Sequence, residues 1–298
     1  MNSGFSVVIP AYNYGHCVER AVLSALNQSG ADFEVLVVND GSTDDTDAVM
    51  RRLQARHSST LRYINQENQG VSAARNLGVR ETRYPWLLFL DADDELCPDA
   101  LRALQTCAND NVDARLLVGG HYSCVDGGCS ESRPEPVSRD CRKNLSAYLD
   151  KRLSLSNGAC AMHRQVFNDI HYDPDLRHTE DLPVFAKVLA NFPAVATPAL
   201  LARIHKHPDS RRHDVNAALV VGMALEEAIF DDPVMPSWAQ TLRKPYRVRR
   251  LLSLLKICYQ ARRFSEVRQL YGQLMRVAPG VAIQPRYVRR FIMSLVKR

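Results

Sequence analysis

Two acidic clusters about fifty residues apart, each closing a short apolar run, constrain this chain more than any other feature. Phe33-Glu34-Val35-Leu36-Val37-Val38 leads into Asn39-Asp40-Gly41-Ser42-Thr43-Asp44-Asp45-Thr46, and Trp86-Leu87-Leu88-Phe89-Leu90 leads into Asp91-Ala92-Asp93-Asp94. Short β-rich runs that stop at Gly, Asp and Ser read as buried strands of a parallel sheet. In such sheets ligands sit beyond the carboxyl ends of the strands. Asp91 and Asp93 then place two carboxylates at one strand tip. Hard oxygen donors suit Mg²⁺ or Mn²⁺, which are held by one or two carboxylates together with substrate phosphates. The expected ligand is a metal-chelated diphosphate.

The N-terminal half alternates strand and helix. Strands are expected at Phe5–Ile9 (closed by Pro10), Phe33–Val38, Leu61–Ile64 and Trp86–Leu90. Helices are expected over His16–Gln28, Thr46–Arg56, from Gly70 and Ser72 to Arg80, and after Pro98, whose missing N–H costs nothing in a first turn. This order implies a doubly wound α/β sheet with helices on both faces. Farther along, 115–125 reads as a strand, Asp126-Gly127-Gly128 as a turn, Asn144–Leu153 as a helix and Asn157–His163 as a strand. Leu182–Ala190 reads as an amphipathic helix and Val195–Ile204 as extended chain. From Val215 onward the pattern is all helical. Leu251–Tyr259 and Phe264–Val277 form one hairpin stopped by Pro279-Gly280, too little for a repeat array. The expected domains are 1–214 and a basic helical extension, 215–298.

The 298 residues are 46% hydrophobic and 24% charged, and hold no apolar run of the ~18–20 residues that a membrane-spanning helix needs. With the first strand starting at Phe5 there is no room for a signal peptide, so a cytoplasmic location is expected. The eight cysteines are expected to be reduced structural thiols. A zinc site built from Cys124, Cys129, Cys141 and His121 is the alternative, but no Cys-x-x-Cys supports it. Charge is segregated. Residues 238–298 carry fifteen Lys/Arg against Glu266 alone, a net of +14, while the rest of the chain is at −9. A basic tail on an acidic body calls for an anionic partner, either the inner face of the cytoplasmic membrane, where the protein would be peripheral, or a phosphorylated saccharide.

Five segments carry a resemblance: Val7-Val8-Ile9-Pro10-Ala11-Tyr12-Asn13, Asn39-Asp40-Gly41-Ser42-Thr43-Asp44, Asn68-Gln69-Gly70-Val71-Ser72-Ala73-Ala74-Arg75-Asn76, Asp91-Ala92-Asp93-Asp94 and Glu180-Asp181. In this order and spacing, over roughly residues 5–210, they resemble the signature of family 2 glycosyltransferases, inverting enzymes that use nucleoside-diphosphate sugars. The resemblance implies a GT-A-type fold: a mostly parallel mixed sheet flanked by helices, with donor and acceptor halves merged into residues 1–214. It implies that Pro10, Ala11 and Tyr12 wall the nucleobase, with Tyr12 stacking on it. Asp40 would accept from the base imide N–H, which favours a UDP- or dTDP-sugar. Asn68, Gly70 and Arg75 would approach the ribose and diphosphate. Asp91 and the neighbouring Ala92 would line the donor, with Asp91 reaching the ribose or a metal-bound water. Asp93 would bind Mg²⁺ or Mn²⁺ directly, and Asp181 would be the general base, kept ionised by the start of its helix. Short bacterial members of the family include rhamnosyltransferases that extend the lipopolysaccharide core. The acceptor implied is accordingly a saccharide or lipid-linked cell-envelope glycan at the inner membrane face. His178-Thr179 is less typical before Glu180-Asp181 than a small residue, and would shape acceptor choice.

Blander readings stand beside these. Asp181 caps its helix as well as Asp generally does, and Tyr12 packs as an ordinary surface aromatic. Asp44, Asp45 and Asp47 are expected to be solvated helix-start acids outside the site. His205 and His207, beside Lys206, offer an imidazole to metal or diphosphate, and Arg211 and Arg212 offer a phosphate grip. Pro10-Ala11-Tyr12-Asn13-Tyr14-Gly15 after the first strand is not the Gly-x-Gly-x-x-Gly of a dehydrogenase. Another nucleotide-sugar enzyme and a nucleic-acid binder using the basic tail remain the rival classes. Several tail aromatics (Tyr246, Tyr259, Tyr271, Tyr287, Phe264, Phe291) fall at helix-core spacing, so no nucleic-acid partner is expected.

Overall fold

The computed structural model describes residues 4–125, 127–176, 179–206 and 215–296. Contacts group the chain into two compact units, Met1–Asp209 and Ser210–Arg298.

The first unit is built on a nine-stranded mixed sheet. β1 (Phe5–Ala11), β2 (Phe33–Asp40), β3 (Leu61–Gln66) and β4 (Trp86–Phe89) are mutually parallel in the order β3-β2-β1-β4, with Val7 opposite both Val35 and Leu88. β8 (Cys160–His163) joins β4 antiparallel and is followed by β6 (Leu116–Val125), β9 (Ala194–His205) and the two-residue β5 (Glu95–Leu96). β7 (Gly128–Ser132) hangs from β6 as a hairpin.

Side-chain alternation along β1 assigns the faces. Phe5, Val7 and Ile9 pack with α1 (Val18–Leu26), α2 (Thr46–Arg56) and α4 (Ala100–Asp110), whose Val22, Met50 and Leu104 are wholly buried. On the other face Leu36 and Val38 meet Ala74 of α3 (Val71–Glu81). Each such side chain stabilises the unit by roughly 1.5–3 kcal/mol. A Cβ on Gly78 would lie 2.3 Å from Val8 Cγ1, so α3 approaches β1 only as closely as a bare backbone permits. α5 (Cys141–Leu149) and α6 (Asp181–Asn191) pack on each other.

The second unit is helical: α7 (Val215–Val221), α8 (Ala224–Phe230), a 3-10 turn at Ser237–Leu242, α9 (Arg243–Gln260), α10 (Phe264–Val277), α11 (Pro279–Ala282) and α12 (Pro285–Val296). Leu251, Leu254, Leu255 and Cys258 of α9 face Val267, Leu270, Tyr271 and Leu274 of α10. Several of its cations are structural. Glu226, 1% exposed, accepts from Arg243 Nε at 2.7 Å and from Arg247 Nε at 2.6 Å.

α10 ends at Val277, just before Pro279-Gly280 as expected, and Pro279 then opens α11, where a proline needs no N–H partner. One expectation is corrected. The cysteines are not all thiols. Cys124 and Cys129 oppose each other across the β6–β7 hairpin and are joined as a disulfide, which also removes the zinc alternative. Cys141 lies apart from them, its thiol donating to Phe192 O.

Candidate active site at the strand ends

β1, β2 and β4 end at the same edge of the sheet, so Pro10-Ala11-Tyr12, Asp40 and Asp91-Ala92-Asp93 converge there. Pro10, Ala11 and Ala92 are buried backbone supports, while Tyr12 presents an exposed ring. The turn after Tyr12 is stapled to the start of α2. Asn13, at φ 61°, donates its N–H to Ser42 Oγ (2.9 Å) and accepts from Thr43 N (2.8 Å), and Gly15 N donates to Asp44 Oδ2 (3.0 Å). Asp47 accepts from Tyr63 Oη (2.9 Å) and Asn65 Nδ2 (3.0 Å). The acids at this helix start therefore hold loops together.

Asp40 is buried and already engaged. Its Oδ1 accepts from Gln66 Nε2 (2.6 Å) and Gln69 N (2.9 Å), and its Oδ2 from Gly70 N (2.8 Å). These bonds clamp the loop that carries exposed Asn68 into α3. Gly70 begins that helix at φ 91°, and a Cβ there would meet nothing within 4 Å, so the clamped loop borders open space. Just beyond it, Ser72 Oγ is buried without a partner.

Arg75 is placed differently from the donor-facing role that the resemblance implied. It is 2% exposed, with Nη2 donating to Asp91 Oδ1 at 2.9 Å and Nη1 to Glu180 Oε1 at 2.6 Å. Its guanidinium lies 5.3 Å from the ring centroid of buried Tyr172, and its Nε has no partner. Asn76 holds Tyr172 by both backbone groups, accepting from Tyr172 N (3.0 Å) and donating to Tyr172 O (2.8 Å). One fork thus ties the end of β4 to the start of α6. Planar, bidentate Arg suits this where Lys would not.

Asp181 opens α6 one residue after Glu180. Its carboxyl is pushed up to about 6, first by burial and then by Glu180 and Asp91, against the opposing pull of Arg75. The helix start was expected to keep Asp181 at an ordinary carboxylate value. Desolvation among three acids outweighs that favourable end of the dipole. Glu180 thus commits its carboxylate to Arg75, whereas Asp181 beside it carries the raised value.

Around Asp93, Arg20 donates from Nη2 to the Asp93 carbonyl (2.5 Å) and pairs through Nε with Glu95 Oε1 (3.4 Å). His205 meets Glu95 Oε1 through Nε2 at 2.8 Å, and its N–H donates to Asp94 Oδ1 at 2.8 Å. His205 therefore does reach the acidic loop, but by way of Glu95 and Asp94. Among the described residues no three His, Cys, Asp or Glu are gathered as a closed metal cage. The donor set does fit a hard cation completed by phosphates: Asp91 is part-exposed beside its Arg75 contact, and Asp93 is part-exposed at the same tip. His207, His178, Arg211 and Arg212 lie outside the described residues. Gln66, Asn76, Tyr172, Arg20 and Glu95 were not foreseen as parts of the site. Asn76 alone had a signal, its place directly after Arg75.

Residues 6–170 match the family described as Glycosyl transferase family 2. The chain belongs to that family. Among curated relatives, a chondroitin synthase of Escherichia coli is 45% identical over 96 residues, 32% of this chain and 14% of the relative. A GalNAc(5)-diNAcBac-PP-undecaprenol beta-1,3-glucosyltransferase of Campylobacter jejuni is 32% identical over 136 residues, 45% of this chain and 41% of the relative. The match thus spans about a seventh of the first relative's length and about two fifths of the second's. Among solved structures, S. aureus TarS 1-349 in complex with UDP-GlcNAc is similar at a TM-score of 0.62 and 16% identity, covering 98% of this chain and 89% of that one. The mannosyltransferase PcManGT of Pyrobaculum calidifontis, with GDP-Man and Mn²⁺, is similar at 0.60 and 16%, covering 98% and 84%. These likenesses are of fold, and the sheet of this family 2 chain is the GT-A type that its motifs implied.

Proposed function

We propose that this family 2 chain is an inverting glycosyltransferase that moves a sugar from a UDP- or dTDP-sugar to a hydroxyl of a saccharide or lipid-linked cell-envelope glycan. The observation that carries it is the Arg75 fork, which joins the Asp91 strand tip to Glu180-Asp181. In the proposed reaction the acceptor oxygen attacks the anomeric carbon, the bond from that carbon to the diphosphate oxygen breaks, and the diphosphate leaves with the electron pair. Asp181 takes the acceptor's proton, and its raised value of about 6 suits a base working near neutrality. Tyr12 stacks on the nucleobase. Asp40, with three donors already bound, gives its remaining lone-pair site to the base imide and holds Asn68 and Gly70 along the ribose and diphosphate.

Asp93 and Asp91 would hold Mg²⁺ or Mn²⁺, whose chemistry is to neutralise charge growing on the leaving diphosphate. A fold neighbour carries Mn²⁺ with its nucleotide sugar. An undecaprenol-linked saccharide in a relative's name supports a lipid-linked acceptor at the inner membrane face. Lipopolysaccharide core, with rhamnosyl transfer, belongs to the same class. No helix among the described residues is long and apolar enough to cross a membrane.

The test is a panel of nucleoside-diphosphate sugars incubated with the purified protein and Mn²⁺, reading release of free nucleotide. Release from uracil or thymine donors, lost with EDTA, is expected. Release from purine donors alone would overturn the Asp40 assignment, and release unaffected by EDTA would overturn the metal.

A further inference from the structure

α12 carries a surface that sugar transfer does not use. Its inward side is packed on α10. The Phe291 ring stacks on Tyr271 with centroids 4.3 Å apart, Arg268 Nη1 donates to Ser294 O at 2.5 Å, and Tyr287 is buried. Its outward side is apolar where a soluble helix is ordinarily polar. Ile292, Leu295 and Val296 are 51%, 58% and 75% exposed, with Ile283 at 62% just before the helix. At 3.6 residues per turn, Pro285, Ile292 and Val296 share one line along the helix, with Leu295 beside it and Arg289 bordering it. Arg286 and Arg289 are exposed along that border. Arg290 turns back over the rings of Tyr259 and Tyr287, at 5.8 and 6.0 Å. No Asp or Glu occurs between Val267 and Val296.

We propose that this face of α12 docks on an anionic lipid bilayer, with Ile292, Leu295 and Val296 entering the boundary between headgroups and acyl chains and Arg286 and Arg289 at the phosphate level. The pairing of aliphatic and cationic groups selects this occupant. A second copy of the face would set arginine against arginine with no carboxylate to relieve it. A nucleic acid would accept the cations but give exposed Ile, Leu and Val nothing apolar, and no exposed aromatic on this face offers a base to stack on. An acidic membrane satisfies both halves, because the apolar stripe is buried while the guanidinium groups meet lipid phosphates. The inference rests on this helix alone and stands apart from the transferase reading.

The experiment floats the full chain with vesicles of phosphatidylcholine, with and without phosphatidylglycerol. Binding is expected only to the anionic vesicles, weakening as salt is raised. Ile292→Ser/Leu295→Ser, which changes only outward-facing positions, is expected to weaken it roughly tenfold or more with circular dichroism and melting temperature unchanged. Arg286→Gln/Arg289→Gln is expected to weaken it and flatten its salt dependence. Deleting α12 would be a poorer test, since it strips Phe291 from Tyr271. Equal binding to neutral vesicles, equal binding by parent and serine variant, or no binding at all would overturn the proposal. So would a dimer that the serine pair dissociates while lipid binding persists. Donor turnover in solution should survive the serine pair, which keeps this test separate from that of the transferase.

Discussion

At Asp181 two effects compete, and burial decides between them. A carboxylate at the first position of a helix is ordinarily stabilised in its charged form by a few tenths to 1 kcal/mol. Here desolvation and the neighbouring Glu180 and Asp91 move it the other way, to about 6, against the pull of Arg75 and of a backbone hydrogen bond. A general base works only when ionised, so turnover should rise with pH through about 6 and be lost below it. Arg75→Gln removes the opposing cation and should carry that acid limb to higher pH. Glu180→Gln removes a like charge and should carry it lower. Asp181→Asn should keep donor affinity, read by calorimetry, while turnover falls by about two to four orders of magnitude. An equal loss of donor affinity would make Asp181 a donor ligand or a structural cap instead. The sequence showed Glu180-Asp181 at a helix start. It did not show the raised value, because Asp91 and Arg75 arrive from about ninety or more positions away and burial depends on the packed whole.

The elements themselves were largely legible. The period-2 strands and the Gly/Asp stops placed β1 to β4 and their helices to within a few residues, because each element's burial is written in its own pattern. What a single segment cannot encode is a partner elsewhere. Asp40 closes β2 as expected, but its three bonds to the Gln66–Gly70 loop depend on β3 ending alongside it. Asp40→Ala should therefore weaken donor binding and also lower stability by about 1–3 kcal/mol, since orphaned donors cost that much. A variant as stable as the parent in chemical denaturation would mean that the loop is held by other contacts. The Cys124–Cys129 pair has the same origin, because only the hairpin register sets the two face to face. Alkylation of the denatured protein, counted by mass spectrometry, should label six cysteines without reductant and eight with it. Eight labelled in both cases would show the pair reduced.

Over the whole molecule, chemistry and charge are divided between the two units. The family match ends at residue 170 and the site residues lie within Met1–Asp209, whereas most of the excess cation lies in Ser210–Arg298. The sequence revealed that asymmetry but not its partition, since Arg243 and Arg247 are spent on buried Glu226 while Arg286 and Arg289 flank an outward apolar stripe. The first unit is proposed to carry out a single displacement in which Asp181 deprotonates the acceptor while the diphosphate departs from the opposite face of the sugar. Nuclear magnetic resonance of the product formed from a uridine- or thymidine-diphosphate sugar, read at the anomeric proton, tests it most directly. An anomeric configuration inverted from that of the donor is expected. Retention of the donor's configuration would contradict it.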